Sequence, residues 1–123
     1  MAIIGIGVDV VDLERFAQTL ARTPEILNRL FHVNELQTES GHALSSNSLA
    51  GRFAVKEAVA KALGAPSGMS FHECRVSPSG KPEITLHGEI QRIALTQGIT
   101  HWHVSISHDG PVAVAYVIAE SSH

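Results

Sequence analysis

The chain has 123 residues, a formal net charge of −3, 44% hydrophobic and 17% charged residues. That length supports one domain with its own core, residues 1–123, but not two. The acidic balance speaks against broad nucleic-acid binding, which shows as a basic excess, and the lone Cys74 rules out an intrachain disulfide and points to a cytoplasmic setting.

In chain order, Ile3 to Val10 reads as a strand rich in Ile and Val. The run "MAIIGIGVDVVDLERF" is apolar only briefly and lacks a basic leader, so neither a signal peptide nor a membrane span is expected. Asp12 is a good N-cap, with Glu14 in the first turn, for a helix toward Arg22. Thr23-Pro24 restarts a short helix through Leu30, with Thr23 as cap and Pro24 at the first helical position. After Phe31, "NEL" begins a turn or short helix, and "TESGHALSSN" reads as a polar loop. A long helix starts at Ser45 or Ser48 and stops at Gly64. "FHECRVSPSGKPEITLHG" has the pattern of two strands around the turn "SPSGKP". A helix from Glu89 to Gln97 carries Ile90, Ile93 and Ala94 on one face and closes at Gly98. "HWHVSISH" and "VAVAYVIAE" finish the chain as two strands joined by "DGP". No repeat or low-complexity linker interrupts this order. It predicts an α+β domain, without the βαβ alternation of a dinucleotide-binding fold.

Cys74, at a strand start and without a CxxC partner, reads as structural. His101 and His103 form an HxH, but no second pair stands at zinc spacing, so a histidine metal site is not expected.

Three stretches can carry chemistry. In "GIGVDV", strand alternation puts Gly5, Gly7 and Asp9 on one face and Ile4, Ile6, Val8 and Val10 on the other. Two glycines beside a carboxylate leave room for a ligand or for another backbone to come close. The third glycine of a dinucleotide fingerprint is missing. An edge-strand aspartate facing water, or a second cap for the next helix, is the competing reading. In "SLAGRFAVKEAVAKALG", helical spacing surrounds Glu57 with Phe53, Ala54, Ala60 and Lys61. A sheltered carboxylate beside an ammonium suits a divalent cation and the phosphate it bridges. The plainer alternative is a helix-surface ion pair of about 0.3–0.5 kcal/mol. In "VSISHDG", Val104, Ile106 and His108 share one strand face and Ser105, Ser107 and Asp109 the other. His108 either presents a ring nitrogen to a ligand or is satisfied by turn backbone. A Ser-His-Asp hydrolase triad is rejected, because adjacent strand positions point apart and no GxSxG elbow exists.

Together "GIGVDVVDLERF", "LAGRFAVKEAVAKALG", "SGKPEITLHG" and "HVSISHDGPVAVAYVIAE" resemble the holo-[acyl-carrier-protein] synthases, small bacterial phosphopantetheinyl transferases, in the family's own order. The resemblance implies the 4′-phosphopantetheinyl transferase fold, a mainly antiparallel sheet packed against a long central helix and shorter helices. It implies transfer of the 4′-phosphopantetheine arm of coenzyme A to a serine of apo-acyl carrier protein, releasing adenosine 3′,5′-bisphosphate, in fatty-acid biosynthesis. By resemblance Asp9 and Glu57 are the ligands of Mg²⁺, with Mn²⁺ equally compatible with their oxygens. Lys61 then holds phosphate charge, Gly64 and His108 lie near coenzyme A, and Arg52 meets another of its phosphates. A metal-bound water, Glu57 or the His108–Asp109 pair could each accept the serine proton. Glu35 stands at a family glutamate, but the usual threonine of "FTxxE" is His32 here. The family receives its acidic carrier protein on the first helix, where Arg15 and Arg22 share one face, and Arg29 extends them. A solvated helix face is the alternative for these arginines. The family is a homotrimer with sites at subunit interfaces, and no membrane partner is implied. Two other classes compete: a coenzyme A or carrier-protein binding module without chemistry, and a metal-dependent pyrophosphate hydrolase.

Overall fold

The computed structural model describes residues 1–122. Strands β1 (Ala2–Asp12), β4 (His101–Asp109) and β5 (Val112–Ser121) form an antiparallel sheet in the order β1-β5-β4. The short strands β2 (Cys74–Val76) and β3 (Ile84–Leu86) pair separately, also antiparallel. Along the central strand, Ala113, Ala115, Val117 and Ala119 are fully buried on the face that meets the core. The opposite face is apolar yet open: Ile6 is 51%, Val8 45%, Val10 58% and Tyr116 46% exposed.

Helix α3 (Ser46–Ala62) crosses the buried face diagonally. Its first half lies over β4, where a Cβ at Gly51 would come 2.9 Å from Ile106 Cγ2 and 3.1 Å from the His108 ring. Its second half lies over β1, where a Cβ at Gly7 would overlap the Ala58 carbonyl and one at Gly5 that of Ala62. The space expected beside Asp9 is therefore filled by another backbone, not left open for a ligand. Both helix ends are well closed. The Ser45 hydroxyl accepts the Ser48 N–H at 3.1 Å. At the other end Gly64 (φ +88°) donates to Lys61 O at 3.1 Å and Ala65 to Ala60 O at 2.7 Å, a Schellman motif.

Helices α1 (Leu13–Arg22) and α2 (Ile26–Leu30) flank α3 through Phe16, Leu30, Phe31, Leu49 and Ala50. Asp12 caps α1, its carboxylate accepting the Arg15 N–H at 2.8 Å. Thr23 does not cap α2 with its side chain: its carbonyl accepts the Ile26 N–H at 3.0 Å, and Pro24 and Glu25 form a turn ahead of the helix. Helix α4 (Gly88–Thr96) is capped from outside, by the Glu73 carboxylate accepting the Glu89 N–H at 3.0 Å. Cys74 is buried, and burial pushes its thiol up to about 12, which leaves it protonated and structural.

One charged pair lies wholly inside. Lys56 and Glu35 are 0% and 2% exposed, 2.8 Å apart. The Lys56 ammonium also donates to Phe71 O at 2.9 Å and Cys74 O at 2.7 Å, so its three hydrogens are all used. Glu35 accepts the His32 N–H at 2.8 Å and the Val76 N–H at 2.9 Å. Burial lowers the Lys56 pKa, and Glu35 opposes that. The His32 ring closes the same turn: Nδ1 accepts the Asn34 N–H at 3.2 Å, the service a threonine hydroxyl gives in a capping box.

Two stability predictions follow from these contacts. Gly7→Ala should cost about 3 kcal/mol or more in urea unfolding, since helix and strand must separate; a change under about 1 kcal/mol would contradict the close approach. Lys56→Met should cost about 3–5 kcal/mol by stranding the Glu35 charge. Lys56→Met/Glu35→Gln should recover part of that loss, whereas fully additive losses would show the two residues to be uncoupled.

Candidate active site

The close seam between β1 and α3 brings three charged side chains together. Asp9 follows Gly7 on the glycine face of β1, and Glu57 and Lys61 stand one turn apart on α3. Lys61 Nζ donates to Asp9 Oδ1 at 2.9 Å and to the Val8 carbonyl at 3.0 Å. The Glu57–Lys61 ion pair that helical spacing suggests is not made, because the ammonium reaches across the seam instead. With Lys61 52% and Asp9 16% exposed, the Lys61–Asp9 pair belongs with solvent-accessible ion pairs worth roughly 0.2–1 kcal/mol.

Glu57 borders a cleft of ≈ 370 Å³ between β1, α1, α2 and α3. Asp9, Asp12, Glu57 and Arg15 supply its charges, with the Asp12 carboxylate already capping α1, and Phe16, Phe53 and Ile26 are part of its apolar wall. Burial raises the Glu57 carboxyl above its ordinary range, the Asp9 charge raises it further, and Lys61 opposes both. A Glu57 carboxyl whose ionisation the neighbouring Asp9 charge disfavours, on an accessible cleft, makes with Asp9 a donor set a divalent cation would relieve. Mg²⁺ characteristically takes one or two carboxylates and fills its remaining positions with water and phosphate oxygens. The residues present fit that ion. Among the described residues no group of three or more His, Cys, Asp or Glu is placed to hold a metal ion by itself. The HxH histidines serve other partners: His103 meets Glu120 at 3.3 Å and His101 the Thr100 hydroxyl at 2.9 Å.

The remaining sequence candidates fall elsewhere. His108 Nε2 lies 3.0 Å from the Asn47 carbonyl. A carbonyl only accepts, so that nitrogen carries a proton and Nδ1 is the ring atom left for other partners. Arg52 is 9% exposed; its Nε donates to Ser77 O at 2.9 Å and its Nη1 to Ser48 O at 3.5 Å. Burial lowers its pKa, and among the described residues no carboxylate pairs with it. His108 and Arg52 thus attach to the first turn of α3, whereas Glu57 is about 120° around the helix from Gly51, which contacts His108. Gly64 follows Lys61 just past the helix end. Arg15, Arg22 and Arg29 are exposed on α1 and α2. The structure therefore unites Asp9, Glu57, Lys61 and Arg15, and keeps His108 and Arg52 apart from them.

Sequence reasoning missed the Lys61–Asp9 contact and the internal role of Lys56. The first had a signal. Gly5 and Gly7 on the strand match Ala58 and Ala62 on the helix, small against small, which is what lets two backbones touch.

This fold has close counterparts. The family model described as the 4′-phosphopantetheinyl transferase superfamily matches residues 5–118. A holo-[acyl-carrier-protein] synthase of Salinispora arenicola is 51% identical over 120 residues, spanning 96% of this chain and 98% of its own. The solved holo-[acyl-carrier-protein] synthase of Neisseria meningitidis superposes with a TM-score of 0.85 at 31% identity, over 98% of this chain and 100% of that one. The Helicobacter pylori holo-[acyl-carrier-protein] synthase, solved in complex with coenzyme A, gives 0.76 at 34% identity over 94% and 99%. The chain belongs to the 4′-phosphopantetheinyl transferase superfamily and, within it, to the holo-[acyl-carrier-protein] synthases.

Glu57 yields a prediction of unusual sign. A carboxyl whose folded pKa is raised favours folding only while protonated, and that contribution is lost as pH rises through the folded value. Ionised Glu57 therefore weakens the metal-free protein near neutral pH. In calorimetry with EDTA, Glu57→Gln should raise Tm by about 1–3 °C at about pH 7, with the advantage shrinking toward about pH 4.5. A variant less stable than the parent at both pH values would contradict the assigned environment.

Proposed function

We propose that this chain transfers the 4′-phosphopantetheine of coenzyme A to a serine of apo-acyl carrier protein, giving the holo-carrier protein and adenosine 3′,5′-bisphosphate in support of fatty-acid biosynthesis. The observation that carries the reading is the pairing of Asp9 and Glu57 on one accessible cleft, with Lys61 hydrogen-bonded to Asp9 beside it, in a chain that belongs to the holo-[acyl-carrier-protein] synthases. A relative's solved complex with coenzyme A supports the choice of donor.

In this reading Asp9 and Glu57 hold Mg²⁺, or Mn²⁺. The bound ion would neutralise pyrophosphate oxygens and make the attacked phosphorus more electrophilic. The carrier serine oxygen forms a bond to that phosphorus while the bond to the nucleotide oxygen breaks, so negative charge departs with the bisphosphate. Lys61 offsets phosphate charge, and its long flexible stem lets the ammonium follow it. Glu57 is the group of this chain best placed to accept the serine proton, since His108 is turned toward Asn47 on another side of α3.

Arg15 and Arg22 lie on one face of α1, and with Arg29 they suit an acidic carrier protein steered by charge. The apolar wall of Phe16, Phe53 and Ile26 beside them suits an apolar side chain near the acceptor serine. Assembly as a homotrimer belongs to the same proposal. Its support is the exposed apolar face of Ile6, Val8, Val10 and Tyr116, a surface of the kind that marks protein contacts. A second support is the separation of His108 and Arg52 from the Asp9 cleft, which a neighbouring copy would remedy by bringing its own pair to it. A single functional domain and a cytoplasmic location complete the reading, the latter in keeping with the lone reduced Cys74.

The test is the intact mass of apo-acyl carrier protein after incubation with this protein, coenzyme A and Mg²⁺. A gain of about 340 Da, one phosphopantetheine, that EDTA abolishes is the expected result. No gain with coenzyme A still bound would turn the reading toward a binding module. In the same assay Arg15→Glu/Arg22→Glu should lower kcat/KM for the carrier at least about tenfold, with coenzyme A binding intact. An unchanged rate would place the carrier surface elsewhere.

A further inference from the structure

Lys61 is engaged with an unexpected partner for a side chain that handles substrate phosphate. Its ammonium sits 2.9 Å from Asp9 Oδ1 and 3.0 Å from the Val8 carbonyl oxygen. The first of these atoms belongs to the metal pair, and an ammonium there occupies an oxygen that a divalent cation needs while adding like charge beside it. Among the described residues no hydrogen bond ties Lys61 to Glu57, so the contact is directed at Asp9 and not spread over both carboxylates.

From this contact we infer that Lys61 is a cation surrogate, holding Asp9 in the free protein and moving to the diphosphate of the incoming donor, so that the divalent cation binds strongly only together with that substrate. The inference rests on the reading of Asp9 and Glu57 as the metal pair. Its physical basis is a balance of weak and strong partners. The Lys61–Asp9 pair is half-exposed on the lysine side and correspondingly weak, so a diphosphate carrying more charge than one carboxylate can draw the ammonium away. The four-carbon stem has the reach to follow, and the Val8 carbonyl gives it a defined resting place. Once the ammonium leaves, Asp9 and Glu57 are both free for the ion, and the ion and the ammonium then contact the same phosphates. Cation and donor thus raise each other's affinity, as linkage requires.

The decisive experiment titrates Mn²⁺ into the full-length protein, following free Mn²⁺ by electron paramagnetic resonance, with and without coenzyme A. The wild type, Lys61→Met and Asp9→Asn are compared, and circular dichroism checks each fold. Without coenzyme A, Lys61→Met should bind Mn²⁺ about three- to tenfold more tightly than the wild type. The gain in Mn²⁺ affinity on adding coenzyme A should be smaller in Lys61→Met than in the wild type. Binding that requires Asp9 but is unmoved or weakened in Lys61→Met would overturn the surrogate role alone. So would a gain from coenzyme A as large as the wild type's, or no measurable Mn²⁺ binding by the free variant. Mn²⁺ binding untouched by Asp9→Asn would overturn the metal-pair reading and the surrogate role with it.

Discussion

The contact on which the rest depends is backbone against backbone: α3 lies on Gly5 and Gly7 of β1 so closely that neither position has room for a methyl group. Small residues on both partners make this possible, Ala58 and Ala62 on the helix and Ala113, Ala115 and Ala119 along the neighbouring strand. The dispersion gained across such a seam is continuous, and any inserted carbon interrupts it over a long stretch. Its chemical consequence is direct. Asp9, one strand repeat beyond Gly7, comes within reach of a lysine on the helix, and the carboxylate one turn earlier is left facing a cleft. A helix one methyl farther from the strand would keep the residues and lose their meeting.

A second constraint sets the rotation of α3 about its axis. Lys56 and Glu57 are consecutive, about 100° apart, and their fates are opposite. Lys56 is pinned inside by Glu35 and two carbonyls, a buried pair whose geometry is specific even though replacing it with apolar residues is often neutral in stability. With residue 56 pinned, residue 57 has one direction left, into the cleft beside Asp9. The segment carrying His32 and Glu35 therefore bears on the site from a distance, because it holds the helix in the one orientation that presents Glu57. This is why a buried core helix, apolar on nearly all sides, can carry an accessible carboxylate in a defined place.

The charged groups are divided between the two edges of one sheet. Asp9 is on β1, His108 on β4, and β5 separates them by about 10 Å of strand spacing. The open face of that sheet is apolar where an isolated domain would be expected to be polar. In the proposed trimer the two facts would have one explanation: a contact that covered the apolar face and brought a second copy's His108 and Arg52 toward the first copy's Asp9.

The sequence by itself determined the strands, most helix limits and the caps of α1 and α3, because these depend on neighbours within a few residues. Ser45, Asp12 and Gly64 act locally, and the alternation of "GIGVDV" and "VSISHD" assigns faces without knowledge of the fold. Asp9 and the Glu57–Lys61 pair could each be singled out because their residue types are unusual against small apolar neighbours, and the family resemblance is what joined them as one set. Three other features could be decided only by the tertiary structure. Helical spacing pairs Lys61 with Glu57, yet the ammonium takes Asp9, a partner more than fifty positions away, because the glycine seam brings β1 nearer. Lys56 resembles any surface lysine until Glu35, Phe71 and Cys74 close around it. Arg52 and His108 join Asp9 and Glu57 in the linear pattern but not in one chain, since α3 turns Arg52 and Glu57 to different sides and β5 stands between the strands that carry Asp9 and His108. Each of these is a question of which groups long-range packing brings within 3 Å, and short-range pattern carries no term for that distance.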